Sequence, residues 1–285
     1  MKFNNTFSVF QLISENSLNR TELSVKMKIK TPITDHVDFD QVYEPAEDSF
    51  LLLDALEKDL EIMLNQDQQK NSCSPVFCLE IGSGSGIIST GLASVLPNSM
   101  IFACDINPQA CLASQKTSEI NKTAKNQSII RMDFLNFFPF YDGKIDLLVC
   151  NPPYVATNDD ELGKKIIVLI SAQYRKTLVR FLFLNFPLYF SFNYLENNYY
   201  YLFLGSSNIY ASWAGGSLGR QLTDKLIHSL QKILSEHGIA YIVLEQCNKP
   251  QEVKGLCEQL NFNAEFVLSR RAGREYLHVL RLKKQ

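Results

Sequence analysis

The 285-residue chain is long enough for one large α/β domain or two small ones. Its formal net charge is −2, with basic and acidic residues mixed along the chain, so no global basic field points to nucleic acid or to an anionic membrane. The seven cysteines are odd in number and include no C-x-x-C pair, which suits a reducing compartment, offers no disulfide framework and gives no zinc-site spacing.

The first residues, Met1-Lys-Phe-Asn-Asn-Thr6, lack the continuous apolar core of a secretory signal. Met27 precedes Lys-Ile-Lys-Thr and reads equally well as a start, which would make residues 1–26 a non-native extension or a disordered arm; residues 1–34 are expected to be a disordered N-terminal extension ahead of a domain spanning 35–285. Tyr43-Glu-Pro-Ala-Glu-Asp-Ser49 opens a helix: Pro45 suits its first turn, and Glu47 and Asp48 suit its positive end. With Ser49, those acids could also hold a polar, cationic ligand. Residues 64–75 are polar and read as a loop.

A short strand from Val76 runs into Gly82, Gly84 and Gly86 and then into a helix to about Leu96. The spacing is G-x-G-x-G, which does not meet the pyrophosphate-binding fingerprint. Glu80, on the strand before the turn, would repel a pyrophosphate but suits a cation. The second strand, Ser99–Asp105, ends in an acid placed to accept both hydroxyls of a ribose. Asn107-Pro108 opens a helix to about Ile120, and Ser128–Asp133 gives a third strand. Asp133 and Phe134 at its end could hydrogen-bond and stack on an adenine. Singly, each acid is more often a cap or loop residue. Their recurrence at successive strand ends points to a ligand with adenosine, a positive charge and no phosphates, which is S-adenosylmethionine.

The fourth strand, Ile145–Cys150, is an apolar run of the kind buried inside a parallel sheet, and it stops at Asn151-Pro-Pro-Tyr154. Neither proline can donate to a ladder, so Asn151 is held at the carboxyl end of a strand, where open α/β sheets bind ligands. A strand-ending turn explains most Asn-Pro pairs. Here, however, the Asn151 side chain and the Pro152 carbonyl would make a fixed pair of acceptors suited to a planar NH2 group.

Residues 164–205 shift sharply to Phe, Tyr, Leu, Asn and Ile. Asn185, Pro187, Asn193 and Glu196 break any span of about eighteen apolar residues, against a membrane reading. Gly163-Lys164 can be encoded with an intron donor and Leu204-Gly205 with an acceptor after a T-rich tract, so a retained intron or gene-model error is favoured for this atypical insertion over a genuine apolar insertion, which would need a partner to cover it. Beyond it, Trp213-Ala-Gly-Gly216 precedes a helix from Gln221 to about Ser235 with Gly238 as its C-cap. Strand five, Ile239–Glu245, a helix over about Pro250–Leu260, and the strands Ala264–Ser269 and Tyr276–Leu282 follow. The last two are joined closely enough for an antiparallel hairpin.

Taken together, Tyr43-Glu-Pro-Ala-Glu-Asp-Ser, Glu80-Ile-Gly-Ser-Gly-Ser-Gly, Asp105, Asp133-Phe134, Asn151-Pro-Pro-Tyr and Trp213-Ala-Gly-Gly resemble the class I amino-methyltransferases of the HemK kind. The similarity is greatest to the eukaryotic and archaeal branch that methylates a glutamine of a class-1 translation termination factor. It covers about residues 35–283 outside the insertion, and removing 164–205 restores the family's spacing. The resemblance implies a seven-stranded Rossmann-like sheet, mostly parallel with an antiparallel C-terminal strand. It implies S-adenosylmethionine bound by Ser49, Glu80, Gly82, Gly84, Gly86, Asp105, Asp133, Phe134 and Asn151, with Asn151, Pro152 and Tyr154 performing transfer and no metal. Ser49 stands where the family has threonine, a mild departure that keeps the hydroxyl. A small zinc-binding activator protein is implied as a heterodimer partner adding a strand to a sheet edge, with the cytoplasm, and the nucleus as a second compartment, as the location. Family members are also linked to histone lysine and DNA adenine. The DNA reading is weakened by the lack of a basic stripe or target-reading domain, and a further alternative is an inactive product disabled by the insertion.

Overall fold

A computed structural model describes residues 28–70, 76–133, 142–157, 215–216 and 218–285. Seven strands form one sheet: β1 (Phe77–Ile81), β2 (Met100–Asp105), β3 (Gln127–Arg131), β4 (Ile145–Cys150), β5 (Leu234–Glu245), β6 (Phe262–Ala272) and β7 (Glu275–Lys284). Among the described residues five α-helices are interleaved: α1 (Glu47–Lys70), α2 (Ile87–Val95), α3 (Pro108–Ile120), α4 (Gln221–Ile233) and α5 (Pro250–Gln259). The spatial order is β3-β2-β1-β4-β5-β7-β6, parallel from β3 through β5, with β7 antiparallel to both of its neighbours.

This order places a topological switch point between β1 and β4, where connections leave in opposite directions and a crevice opens at the strand tips. Ile81 pairs with Cys150 in the register of these strands. The glycine loop and Asn151 therefore begin side by side at the same end of the sheet.

Two apolar layers enclose the sheet. Leu51, Leu52 and Leu56 of α1 and Leu92 of α2 cover one face, against Tyr241, Val243, Leu277 and Val279. Leu226 and Leu230 of α4 and Val253 and Cys257 of α5 cover the other, against Leu148, Ile242 and Leu280. Each fully buried leucine contributes about 1.5–3 kcal/mol. The first layer also contains a polar clamp. The Tyr241 hydroxyl donates to Asp59 Oδ2 at 2.7 Å, and Arg281 Nη1 donates to both Asp59 oxygens at 2.7 and 2.8 Å. This pins α1 to β5 and β7, and so fixes the height of the helix start that enters the site.

Several boundaries differ from the sequence reading. Residues 64–70 continue α1 and are not loop; Leu64-Asn-Gln-Asp-Gln-Gln-Lys70 contains no glycine or proline, and Gln and Lys are good helix formers. Gly238 is not a C-cap. The cap is Leu234 in extended backbone, and Gly238 lies within β5 at a register irregularity, where a Cβ would come 2.7 Å from the Ile145 carbonyl oxygen. Strand β3 ends at Arg131, two residues short of Asp133. Within the stretch assigned to the N-terminal extension, residues 28–34 are in place against the domain. Ile29 is buried and its N–H donates to Glu57 Oε2, while Ile33 exchanges two hydrogen bonds with the Asn121 side chain. The insertion 164–205 lies outside the described residues, as do Phe134, Trp213 and Ala214.

Candidate active site

The glycine loop is built on left-handed backbone. Gly82, Gly84 and Gly86 have φ of +77°, +51° and +79°, a region that a side chain makes costly. Gly86 has a second requirement: a Cβ there would come 2.7 Å from the Cα of Ser114 on α3. Gly84 has no atom within 4 Å of the place a Cβ would occupy, so the loop presents bare backbone to open space. Asp105, at the tip of β2, accepts from the Gly84 N–H at 2.9 Å through Oδ2 and from the Asn107 N–H at 2.8 Å through Oδ1. A carboxylate has about four lone-pair positions. Asp105 is thus anchored on at least two of them, with the Ile106 N–H as a further backbone donor, and what remains can accept from a diol.

Glu80 is almost fully buried. Its Oε2 accepts the Ser89 N–H of α2 at 2.9 Å. Burial pushes its pKa up to about 8, against the opposing pull of the Ser89 hydrogen bonds. Such a group gains from a nearby cation. An exposed-backbone loop, an anchored acid and a buried carboxyl with no basic side chain among them fit a cationic nucleoside and offer nothing to a polyphosphate.

Across the switch point, Asn151 follows β4. Its Nδ2 donates to Asp48 Oδ2 at 3.0 Å, while its Oδ1 is buried with no partner among the described residues. Nor does any described donor bond the Pro152 carbonyl. Asp48, 2% exposed, collects the site: Oδ2 also accepts from the Tyr43 hydroxyl at 2.9 Å and lies 3.2 Å from the Tyr154 hydroxyl. Its Oδ1 accepts from the Ser49 N–H at 2.6 Å. Because Asp48 can only accept, it fixes which end of the Asn151 amide faces it. The carbonyl oxygen must then point the other way. Burial and the Asp48 charge raise the pKa of both Tyr43 and Tyr154 well above the phenol range, so both hydroxyls stay protonated as donors. The Tyr154 hydroxyl also lies 3.3 Å from Glu275 Oε2.

The backbone of the Asn-Pro-Pro-Tyr turn is held from behind. Asn248, fully buried, donates through Nδ2 to the Tyr154 carbonyl at 2.8 Å and lies 3.2 Å from the Gly219 carbonyl, while its Oδ1 accepts the Glu245 N–H at 2.8 Å. Gly215 donates to the Val155 carbonyl at 2.8 Å, and Thr157 donates to the Gly216 carbonyl at 2.8 Å. A Cβ on Gly215 would lie 2.5 Å from the Pro153 oxygen, and one on Gly219 only 2.0 Å from the Tyr154 oxygen. The double glycine lets the returning chain lie directly against the turn.

The structure therefore brings Ser49, Asn151, Pro152 and Tyr154 together around Asp48, sets Glu80 and the glycines on the neighbouring strand β1 and the loop that follows it, and sets Asp105 one strand further, at the tip of β2. Asp133 lies just past β3, and Phe134 is outside the described residues. Sequence reasoning treated Asp48 as a helix-start acid that could also face a cationic ligand, not as the acceptor that orients Asn151, and passed over Asn248 and Glu275. The Glu-Pro-Ala-Glu-Asp-Ser stretch held the signal for Asp48. Nothing local marked the other two.

Residues 54–177 match the family model described as methyltransferase small domain. The chain is 33% identical to the human "Methyltransferase HEMK2", covering 89% of this chain and 96% of that one. It is 31% identical to the Schizosaccharomyces pombe "eRF1 methyltransferase catalytic subunit mtq2", over 89% and 95%. The chain belongs to the HEMK2/Mtq2 family of methyltransferases. The E. cuniculi Mtq2–Trm112 complex, described as responsible for methylation of the eRF1 termination factor, contains a chain of the same fold, with TM-score 0.52, 19% identity and coverage of 86% and 99%. As a family member the protein is an enzyme whose methyl donor is S-adenosylmethionine, and the glycine-loop geometry fits that donor.

Proposed function

We propose that this methyltransferase transfers a methyl group to the side-chain amide nitrogen of a glutamine in a class-1 translation termination factor. The observation that carries the reading is a pair of acceptors with no partner among the described residues, Asn151 Oδ1 and the Pro152 carbonyl. A primary amide offers two coplanar N–H donors, and two fixed acceptors at successive residues can grip both. The relatives named as eRF1 and N5-glutamine methyltransferases support the same acceptor.

In this reading Ser49, Glu80, Gly82, Gly84, Gly86, Asp105, Asp133, Phe134 and Asn151 hold the cofactor. When bound, it supplies an electrophilic methyl on a sulfonium. Asn151 and Pro152 align the amide nitrogen for in-line attack, and Tyr154 packs on the plane of the group. As the new C–N bond forms and the C–S bond breaks, positive charge moves onto nitrogen. The two acceptor oxygens stabilise that charge, and the nitrogen then releases one proton to water. Asp48 acts through Asn151 by holding its carbonyl towards the acceptor.

The enzyme works with a small activator protein, as the E. cuniculi complex supports; zinc in that partner, and a cytoplasmic or nuclear location, belong to the same proposal. Edge strand β3 is the expected docking strand. Its residues are half-exposed and uncharged up to Arg131. The other edge, β6, carries Glu265, Arg270 and Arg271, the kind of charge that protects an edge from pairing, and Arg270 is already engaged by Glu47 and Asp54 of α1. We further assign residues 35–285 to one domain interrupted at 164–205.

The test is a side-by-side methylation assay of termination factor, histone and duplex DNA, with the activator present. Label on a glutamine of the factor is expected. Label on DNA with none on the factor would overturn the proposal.

A further inference from the structure

Beside Tyr154 the surface opens into a depression of about 520 Å³, lined by Glu245, Gln246, Cys247, Arg271, Arg274, Glu275 and Tyr276. Nothing in the cofactor-binding or amide-gripping geometry uses it. One wall is the turn that follows β5, and the other is the β6–β7 hairpin. The two are latched: Glu245 Oε1 accepts the Tyr276 N–H at 3.2 Å, and Glu245 Oε2 accepts the Cys247 N–H at 2.6 Å. Glu275 belongs both to this depression and to the active site, through its 3.3 Å contact with the Tyr154 hydroxyl.

We propose that this depression is the subsite for the acceptor polypeptide, taking the main chain and polar side chains that flank the methylated residue. The inference rests on the acceptor being a protein, as proposed above.

Three observations carry it. The first is continuity. Asn151, Asp48, Tyr154 and Glu275 form an unbroken run of polar contacts of 3.0, 3.2 and 3.3 Å, from the group that holds the target amide to the wall of the depression. The end-to-end distance of that run is at most about three residues of extended chain, at roughly 3.3 Å per residue. A chain whose target side chain reaches Asn151 has the wall of the depression within reach of its next residues.

The second is chemistry. Glu245 and Glu275 accept, Arg271 and Arg274 donate, and Gln246 does both. A polypeptide alternates N–H donors and C=O acceptors and so finds partners of each kind. The two carboxylates balance the two guanidinium groups in formal charge, so the lining offers no continuous basic track for a phosphate backbone.

The third is preorganisation. Tyr276 is 44% exposed, yet its ring is set edge-on to His278 at 4.8 Å and 85°, and His278 in turn sits 5.3 Å from Phe266. An exposed aromatic braced on a hairpin is the kind of anchor that loses little entropy when a partner covers it.

The test uses the full enzyme with its activator and whichever protein, termination factor or histone, the wild type methylates. Tyr276→Ala and Arg274→Glu touch neither Asn151 nor Asp48. Each is expected to raise KM for the protein acceptor about tenfold, the weight of one good contact of ~1.4 kcal/mol, while kcat and the cofactor dissociation constant hold. A photo-crosslinking benzoyl-phenylalanine at position 276 is expected to join the acceptor fragment that contains the methylated residue. Unchanged KM in both variants, or crosslinks confined to the activator, would overturn the subsite while leaving glutamine methylation standing. Methylation of duplex DNA in place of both proteins would overturn the two readings together.

Discussion

The two sides of the switch point are assembled differently. On the glycine-loop side, partners lie close in sequence: Glu80 meets Ser89 nine residues on, Gly84 meets Asp105 at a separation of 21, and Ser83 meets Ser114 at 31. On the Asn-Pro-Pro-Tyr side, Asn151 meets Asp48 across 103 residues, Tyr154 meets Asn248 across 94, and Tyr154 meets Glu275 across 121. The first side satisfies its polar groups internally and offers bare backbone. The second uses distant residues to hold two acceptors that have no partner among the described residues, and the buried one, Asn151 Oδ1, is of the kind retained where a ligand completes the bonding. Substitutions on the two sides should therefore separate into cofactor affinity and transfer rate.

Among the supporting residues the largest effect is expected at Asp48. Asp48→Ala removes the common acceptor of Tyr43, Asn151 and Tyr154 and frees the Asn151 amide to turn over. A fall in kcat of about 100-fold is expected, together with a loss of stability of ~2–4 kcal/mol from buried donors left unpaired. Steady-state kinetics and denaturant melts check both.

Asp105→Ala should give the reverse signature. Its dissociation constant for the cofactor, measured by calorimetry, is expected to rise roughly 10–100-fold, as for losing charge-assisted hydrogen bonds, while kcat at saturating cofactor stays close to wild type. Equal damage to both parameters in both variants would erase the distinction between the two sides.

A pH series sharpens the glycine-loop side further. Glu80 has a folded pKa of about 8 against an ordinary 4.5, so the folded chain keeps a proton that the unfolded chain releases. Unfolding free energy must then decline as pH rises from about 4.5 to 8. Glu80→Gln keeps an acceptor for the Ser89 N–H without the charge. Its melting temperature relative to wild type should climb over that window, and a flat difference would contradict the buried-acid account.

The smallest effect concerns the insertion. The Gly215–Val155 and Thr157–Gly216 hydrogen bonds hold the two ends of the excursion together. Deleting 164–205 shortens the closed excursion to about a quarter of its length, which by loop-closure entropy is worth only ~1.2 kcal/mol. Calorimetry should show melting within a few degrees of the full chain and at or above it. Collapse of folding on deletion would show the segment to be integral.

Much of the frame was legible because its signals are local. The apolar run ending at Asn151-Pro-Pro fixes strand β4 and its stop, the glycines fix the loop, and the Asn107-Pro108 start gives α3. What was not legible depends on neighbours far away in sequence. Gly238 reads as a cap by position alone, but only the β4–β5 register, which brings the Ile145 carbonyl against it, shows why it is glycine. The polar run 64–70 reads as loop by composition and is helix. Asp48 looks like any acid at a helix start until Asn151 arrives beside it. Asn248 looks like any turn residue until the Tyr154 carbonyl does.

The central claim is that Asn151 Oδ1 and the Pro152 carbonyl grip the acceptor amide. Its most direct test is a single-turnover experiment with Asn151→Ala, preloaded with cofactor and mixed with termination factor and activator. The account predicts near-normal cofactor loading and a transfer rate lower by about 100- to 1,000-fold, as for removing one stabilising group from a preorganised site. Transfer at close to the wild-type rate would contradict it.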